Sequence, residues 1–294
     1  MTVTRADTSA EFLAYGPVEL NVMASDRSVR FWRDIVGLKV RDEDSDIVEL
    51  GTDDATLLAL HPGATSAVQR GHTGLYHLAI YVPGEAEFAR LAARLIAHHQ
   101  RFGATDHLMA KSLYLSDPDG IALELALETP ERFGSVRITT SGIDVIDAQG
   151  RRRSGNDSLD VESILAEHRN ADIERPLPAR TAFGHVHLSV RTLERAIAFY
   201  RDVLGFVLQN YWPHLGMADF HAGQGPLHRL AVNTWSGAGA TPAPPGMAGL
   251  RAMTLRYEST LRLAQVLARL PAAESTSRGY RVQDPDGNTL LLTT

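Results

Sequence analysis

Twelve histidines, 35 acidic residues and no cysteine stand among the 294 residues of this chain. Thiolate metal sites, disulfides and a cysteine nucleophile are therefore excluded, and any metal must be held by imidazole and carboxylate. Most of the histidines are placed unremarkably. His61, His72, His168 and His214 fall near turns or on polar helix faces, and His98 and His99 close a helix in "ARLIAHHQR". Three residues of ligand type are different: His77 in "GLYHLAIYV", Glu124 in "IALELAL" and His185 in "GHVHLSV". A single histidine on an apolar strand is more often packed and hydrogen-bonded than metal-binding. An ionised carboxylate in an apolar strand, however, is costly unless it is paired or binds a cation.

The elements that must position these side chains are repeats. "YGPVELNVMASDRSVRFWRDIVGL" (15–38) matches "FGHVHLSVRTLERAIAFYRDVLGF" (183–206), and "GLYHLAIYV" (74–82) matches "GLRAMTLRY" (249–257). Each match reads as a strand followed by an amphipathic helix, as the spacing of Leu193, Ala196, Ile197 and Tyr200 shows. "LYLSDPDGIALE" and "YRVQDPDGNTLLL" supply the closing strands of two of the units. The expectation is an α+β fold of four βαβββ modules, at about 12–62, 72–128, 181–236 and 247–294. They are expected to form a first domain, 1–128, and a second, 181–294, joined by a linker, 129–180, with one short helix near "SLDVESILAEHR".

The repeat defines which positions correspond. His77 lies five residues before Val82, and His185 five before Val190, each at the end of its strand. Pro17 and Ala252 hold those places in the first and fourth units. Superposing the two Asp-Pro-Asp-Gly turns sets Glu124 against Leu291 and Tyr114 against Arg281. The ligand inventory is therefore His77, Glu124 and His185, a two-histidine, one-carboxylate facial triad that leaves positions open on a non-heme Fe(II). The simplest arrangement has units two and three lining one cavity, although pairing between chains of a dimer gives the same set. His187 shares a strand face with His185 and is expected at the pocket. His221 in "FHAGQG" is expected at its mouth, and Trp235 in "VNTW" is either core or pocket wall.

Paired βαβββ units carrying "GHVHLSV", "AFYRDVLGF" and "LYLSDPDGIALELA" resemble the vicinal oxygen chelate superfamily, and among its branches the two-domain extradiol catechol dioxygenases. The resemblance covers nearly all of the chain outside the linker. It implies a concave mixed sheet around a metal cavity, with Fe(II) or else Mn(II) as cofactor. It also implies ring-opening dioxygenation of a catechol-type diol with O2 as co-substrate. By the same resemblance His228 in "LHRLAV" is the acid–base histidine, with Tyr114 and His107 of "TDHLMAKSLY" beside it. The chain departs from the family in drawing its ligands from units two and three. Two other readings belong to the same superfamily: a glyoxalase-like metal-dependent isomerase or lyase, which commonly uses two acids, and a metal-free drug-sequestering protein, which needs no triad.

Composition narrows the partners. The net charge of −6 disfavours nucleic acid, and "GRRRSGN" reads as a solvated turn. No run approaches the ~20 apolar residues of a membrane span, and "MTVTRADTSAEF" carries no secretory signal. A cytoplasmic homo-oligomer binding a small aromatic diol is the expectation.

Overall fold

The computed structural model describes residues 11–44, 47–139, 142–169, 172–223, 228–237 and 239–294. The first ten residues, where the secretory-signal expectation chiefly falls, lie outside them.

Unit one comprises β1 (Leu13–Val22), α1 (Ser25–Arg30, continued by a π-helical turn Phe31–Val36), β2 (Lys39–Asp44), β3 (Ile47–Gly51) and β4 (Thr56–Pro62). Unit two comprises β5 (His72–Tyr81), α2 (Glu85–Ala97), β6 (Gly103–Asp106), β7 (Ala110–Ser116) and β8 (Ala122–Glu128). The segment expected as a linker holds β9 (Phe133–Thr139), β10 (Gly142–Asp147), β11 (Arg152–Arg153), β12 (Asp157–Ser158) and the helix α3 (Val161–Glu167). Unit three comprises β13 (Ala182–Ser189), α4 (Leu193–Ile197, with a π-helical turn Ala198–Val203), β14 (Val207–Trp212), β15 (Met217–His221) and β16 (Leu230–Asn233). After β17 (Thr241–Pro242), unit four adds β18 (Gly249–Tyr257), α5 (Thr260–Leu267), β19 (Glu274–Thr276), β20 (Gly279–Gln283) and β21 (Thr289–Thr293).

The sheets are assembled across the sequential halves rather than within them. One runs β12-β6-β7-β8-β5-β13-β16-β15-β14, with β17 beside β5, and so joins units two and three. A second runs β19-β20-β21-β18-β1-β4-β3-β2 and joins units one and four, and β11-β10-β9 form a small third sheet. The boundary between 1–128 and 181–294 is thus not the boundary between the sheets. The physical reason lies in the unit itself, whose first strand would otherwise stand at an edge with unpaired backbone groups. Pairing β5 with β13 and β1 with β18, both antiparallel, removes that edge from all four units at once.

Within each sequential half, the two units are tied by the repeated turns. Asp117 Oδ1 accepts from the Asp119 and Ile121 amides at 2.9 and 2.8 Å, and Asp284 Oδ1 accepts from Asp286 and Asn288 at the same distances. The second carboxylate of each turn reaches the preceding unit. Met23 N donates to Asp119 Oδ2 at 2.8 Å, and Arg191 N to Asp286 Oδ1 at 3.2 Å. Tyr200 adds a hydroxyl bond to Asp284 at 2.7 Å.

The segment 129–180 is bound to this framework, not slung between domains. β12 extends the sheet of units two and three through β6. Arg94, 2 % exposed, donates to the carbonyls of Val36, Ile173 and Arg175. Burial lowers its pKa to about 10, which still leaves it cationic at neutral pH. Gly37, at φ 95°, makes room for it, because a Cβ there would stand 1.7 Å from the guanidinium. Arg94→Met should strand these carbonyls and cost about 2–4 kcal/mol. Urea unfolding checks this, and an unchanged midpoint would mean that 173–175 is held by other contacts.

Candidate metal centre

Strand alternation sends every second side chain of β5 and β13 to the concave face, and two β-bulges adjust which ones arrive. The β13–β5 register passes from Phe183↔Ile80 to His185↔Ala79, so Gly184 is the extra residue on β13. It then passes from His187↔His77 to Leu188↔Leu75, so Tyr76 is the extra residue on β5. Each ligand-type histidine thus directly follows a bulge, a device that re-aims side chains. Glu124 comes from β8, paired through Ala79 of β5, and Tyr114 of β7 stands directly opposite it.

The three side chains converge as expected. His77, Glu124 and His185 are buried, and their ligand atoms lie within 4.8 Å of one another. The Nε2 atoms of the two histidines are 2.9 Å apart. Glu124 Oε2 lies 3.1 Å from His77 Nε2 and 3.3 Å from His185 Nε2. Adjacent ligands of an octahedral ion at about 2.1 Å stand about 3.0 Å apart, so these edges match one face of such an ion and leave the other face open. Ser112 Oγ donates to Glu124 Oε1 at 2.6 Å, which holds the carboxylate with Oε2 toward the imidazoles. Burial alone would raise the Glu124 pKa, but hydrogen bonds and charge from His185 and His77 outweigh it and hold the carboxyl well below its usual range. Burial lowers the His185 pKa and favours the neutral imidazole that a metal requires. Donor set and geometry both fit a divalent ion.

Tyr81, for which sequence reasoning had no signal beyond its strand face, completes this set. Its hydroxyl lies 2.8 Å from His185 Nδ1. A neutral histidine offering Nε2 to a metal keeps its proton on Nδ1 and donates it to a fixed partner. Gly184 permits this, because a Cβ there would meet the Tyr81 ring at 2.2 Å. Tyr81→Phe should weaken metal binding by about 10–100-fold. Competition with a chelator of known affinity measures it, and unchanged affinity would reduce Tyr81 to packing.

Around the triad lies an open cavity of about 2060 Å³. His107 Nδ1 lies 2.9 Å from the Gly155 carbonyl, and its Nε2 lies 2.8 Å from the Tyr114 hydroxyl. The carbonyl can only accept, so a neutral His107 carries its proton on Nδ1 and Tyr114 donates to Nε2. Gly155 belongs to the segment expected as a linker, which therefore sets a tautomer at the site. Burial, then the Glu124 charge, raises the Tyr114 pKa above its ordinary value and keeps the phenol protonated. His228 packs on His185, ring centroids 4.3 Å apart. Desolvation, followed by the His185 charge, holds its pKa well below the ordinary value.

His187 shares the concave face but is spoken for. The backbone amide of Trp235 donates to Asn233 Oδ1 at 3.0 Å, which fixes the carboxamide so that Nδ2 donates to His187 Nε2 at 2.9 Å. Tyr76, brought round by its bulge, lies 4.8 Å from His187 and 5.2 Å from Trp235 between ring centroids, and both aromatics keep about half their surface exposed. Trp235 is thus cavity wall rather than core. His221 is the exception among the expected residues: it ends β15 against Val207 and is not among the residues lining the cavity.

The other sheet has no such centre among the described residues. Ala252 and Leu291 fill two of the equivalent positions with buried apolar side chains, and Pro17 fills the third. The nearby buried Glu19 is neutralised by Arg278 at 2.6 Å, with His61 at 3.0 Å.

Four βαβββ units, two mixed sheets and one His–Glu–His cluster on a concave face define a two-domain vicinal oxygen chelate protein. The chain belongs to the Glyoxalase/Bleomycin resistance protein/Dioxygenase superfamily, whose model matches residues 14–125 and 182–292. It is 33% identical over 285 residues to the catechol-2,3-dioxygenase of Bacillus subtilis (strain 168), covering 92% of this chain and 93% of that one. Among solved structures, glyoxalase I from Zea mays matches with a TM-score of 0.55 at 17% identity, covering 95% of this chain and 92% of that one. The cppA protein from Streptococcus pneumoniae TIGR4 matches with a TM-score of 0.53 at 10% identity, covering 97% and 99%. At such identities these two structures speak for the fold alone.

Proposed function

We propose that this chain is an Fe(II)-dependent extradiol dioxygenase that opens the ring of a catechol-type diol with O2. One observation carries the reading: His77, Glu124 and His185 present three ligand atoms 2.9–3.3 Å apart on one face, beside His228, Tyr114 and an aromatic wall. The likeness to the Bacillus catechol-2,3-dioxygenase supports it. His77, Glu124 and His185 would hold Fe(II), or Mn(II) in its place, which would bind the diol and activate O2.

The chain's own side chains do the rest. Tyr76 and Trp235 offer exposed rings against which a flat aromatic packs. His228, held neutral, takes the proton of a catechol hydroxyl on its free imidazole nitrogen and can return it later, as a positioned acid–base group must. Tyr114 keeps its proton on the side facing His107 and presents its oxygen beside the triad. The glyoxalase-like alternative calls for a second acid, and the cluster described holds one. The metal-free alternative gives no role to a buried triad.

The test is direct. Fe(II) is loaded without oxygen, a panel of catechols is added, and O2 is admitted. A yellow ring-opened product is expected. No colour with any catechol, together with isomerisation of a hemithioacetal, would replace this reading with the glyoxalase one.

A further inference from the structure

Among the described residues, Asp219 is the one buried carboxylate on the cavity wall that the chemistry above leaves unused. It lies on β15, where alternation turns Ala218 and Phe220 into the core and Asp219 into the cavity. Its exposure is 4 %. Its partner is the Asn210 carboxamide, whose Nδ2 donates to both carboxylate oxygens at 2.9 and 3.0 Å. Among the described residues no lysine, arginine or histidine forms an ion pair with it, and the arginines lining the same cavity, Arg70 and Arg101, are exposed at its surface. A carboxylate has about four acceptor sites; the side-chain and backbone amides of Asn210 are the donors that reach this one, and neither brings a counter-charge. Burying a charge without a counter-charge is costly unless a ligand supplies the missing donors. Burial accordingly pushes the Asp219 pKa up to about 7.

Its position suits a ring substituent. Asp219 pairs with Ala231 of β16, and Ala231 pairs with His187 of β13. Asp219 therefore faces the same way as His187, two strand spacings or about 10 Å away along the sheet. A ring lying on the Tyr76–His187–Trp235 wall would point a side chain of two or three atoms toward it.

We propose that Asp219 is a specificity-determining residue that selects catechols whose ring substituent carries an ammonium or another hydrogen-bond donor, and disfavours those carrying a carboxylate. The proposal rests on the catechol reading above. A donor fills the vacant acceptor sites and offsets the buried charge. Above neutral pH, where Asp219 is ionised, a carboxylate brings like charge to a desolvated wall, where it is poorly screened.

The experiment uses three catechols of matched size, bearing 2-aminoethyl, ethyl or carboxymethyl at the 4-position. With the Fe(II)-loaded chain, kcat/KM for the aminoethyl compound should exceed that for the carboxymethyl compound by about ten- to a hundredfold, the scale of a hydrogen bond to a charged group. Asp219→Asn should bring that ratio near one, an effect that a loss of folding or metal would not produce. Anaerobic calorimetric titration of the same compounds reads the ratio without turnover. If no catechol is cleaved while the affinity ratio holds and falls in the variant, the dioxygenase reading fails and the specificity of Asp219 stands. If catechols are cleaved and the wild type prefers the carboxymethyl compound, or the ratio survives Asp219→Asn, Asp219 is only a clasp between β14 and β15. The wild-type preference can be read even if the variant does not fold.

Discussion

Glu124→Ala is expected to take the metal content of the purified chain from stoichiometric to near zero, and turnover with it. The carboxylate is the only charged member of the triad, and both imidazoles lean on the same oxygen, Oε2. Without it, two neutral histidines in a desolvated pocket must hold a divalent cation unaided. The loss should exceed the ~10–100-fold typical of losing an outer hydrogen-bond partner. Elemental analysis after dialysis measures it, and full metal retention would refute the triad. A second signature lies in the metal-free protein. The Glu124 pKa is depressed in the folded state, so its bonds add stability above the ordinary carboxylate range, and that stability is lost as pH falls through the folded pKa. Wild type and Glu124→Ala should therefore differ most in thermal stability at neutral pH and converge on acidification.

His228→Ala should give the opposite partition: metal retained, chemistry lost. Its ring touches His185 but no ligand atom depends on it, so the triad survives its removal. A positioned acid–base group contributes ~10²–10⁴-fold, and kcat should fall by that much while metal content stays at the wild-type level. Steady-state oxygen uptake beside elemental analysis separates the two. A variant that turns over at the wild-type rate would leave His228 as cavity wall.

The repeat made much of this centre legible in the sequence. His77, His185 and Glu124 fall at positions fixed by strand ends and by the Asp-Pro-Asp-Gly turns, and strand periodicity is a local property that a single chain displays openly. The Tyr114–Glu124 spacing became a direct cross-strand pair for the same reason. His107 and His228 came through family resemblance, and the structure puts His107 2.8 Å from the Tyr114 hydroxyl and His228 against the His185 ring.

Other features depend on pairing between distant segments. The union of units two and three follows from edges that only the folded sheet presents. Tyr76 was invisible because alternation sends it away from His77, and only the bulge against β13 reverses that. Tyr81 and Gly184 acquire meaning from a contact across two strands, and Gly155 reaches His107 from a segment whose composition reads as linker. His221 shows the converse. Its type and its place beside Gly-rich residues suggested the pocket mouth, but it does not line the cavity. Asp219 carries no motif, and its burial without a counter-charge exists only once β14, β15 and β16 have come together. Sequence by itself thus determined which residues could bind a metal, because spacing along a strand is local. Tertiary structure decided what surrounds them, because register, bulges and burial arise only when separate strands meet.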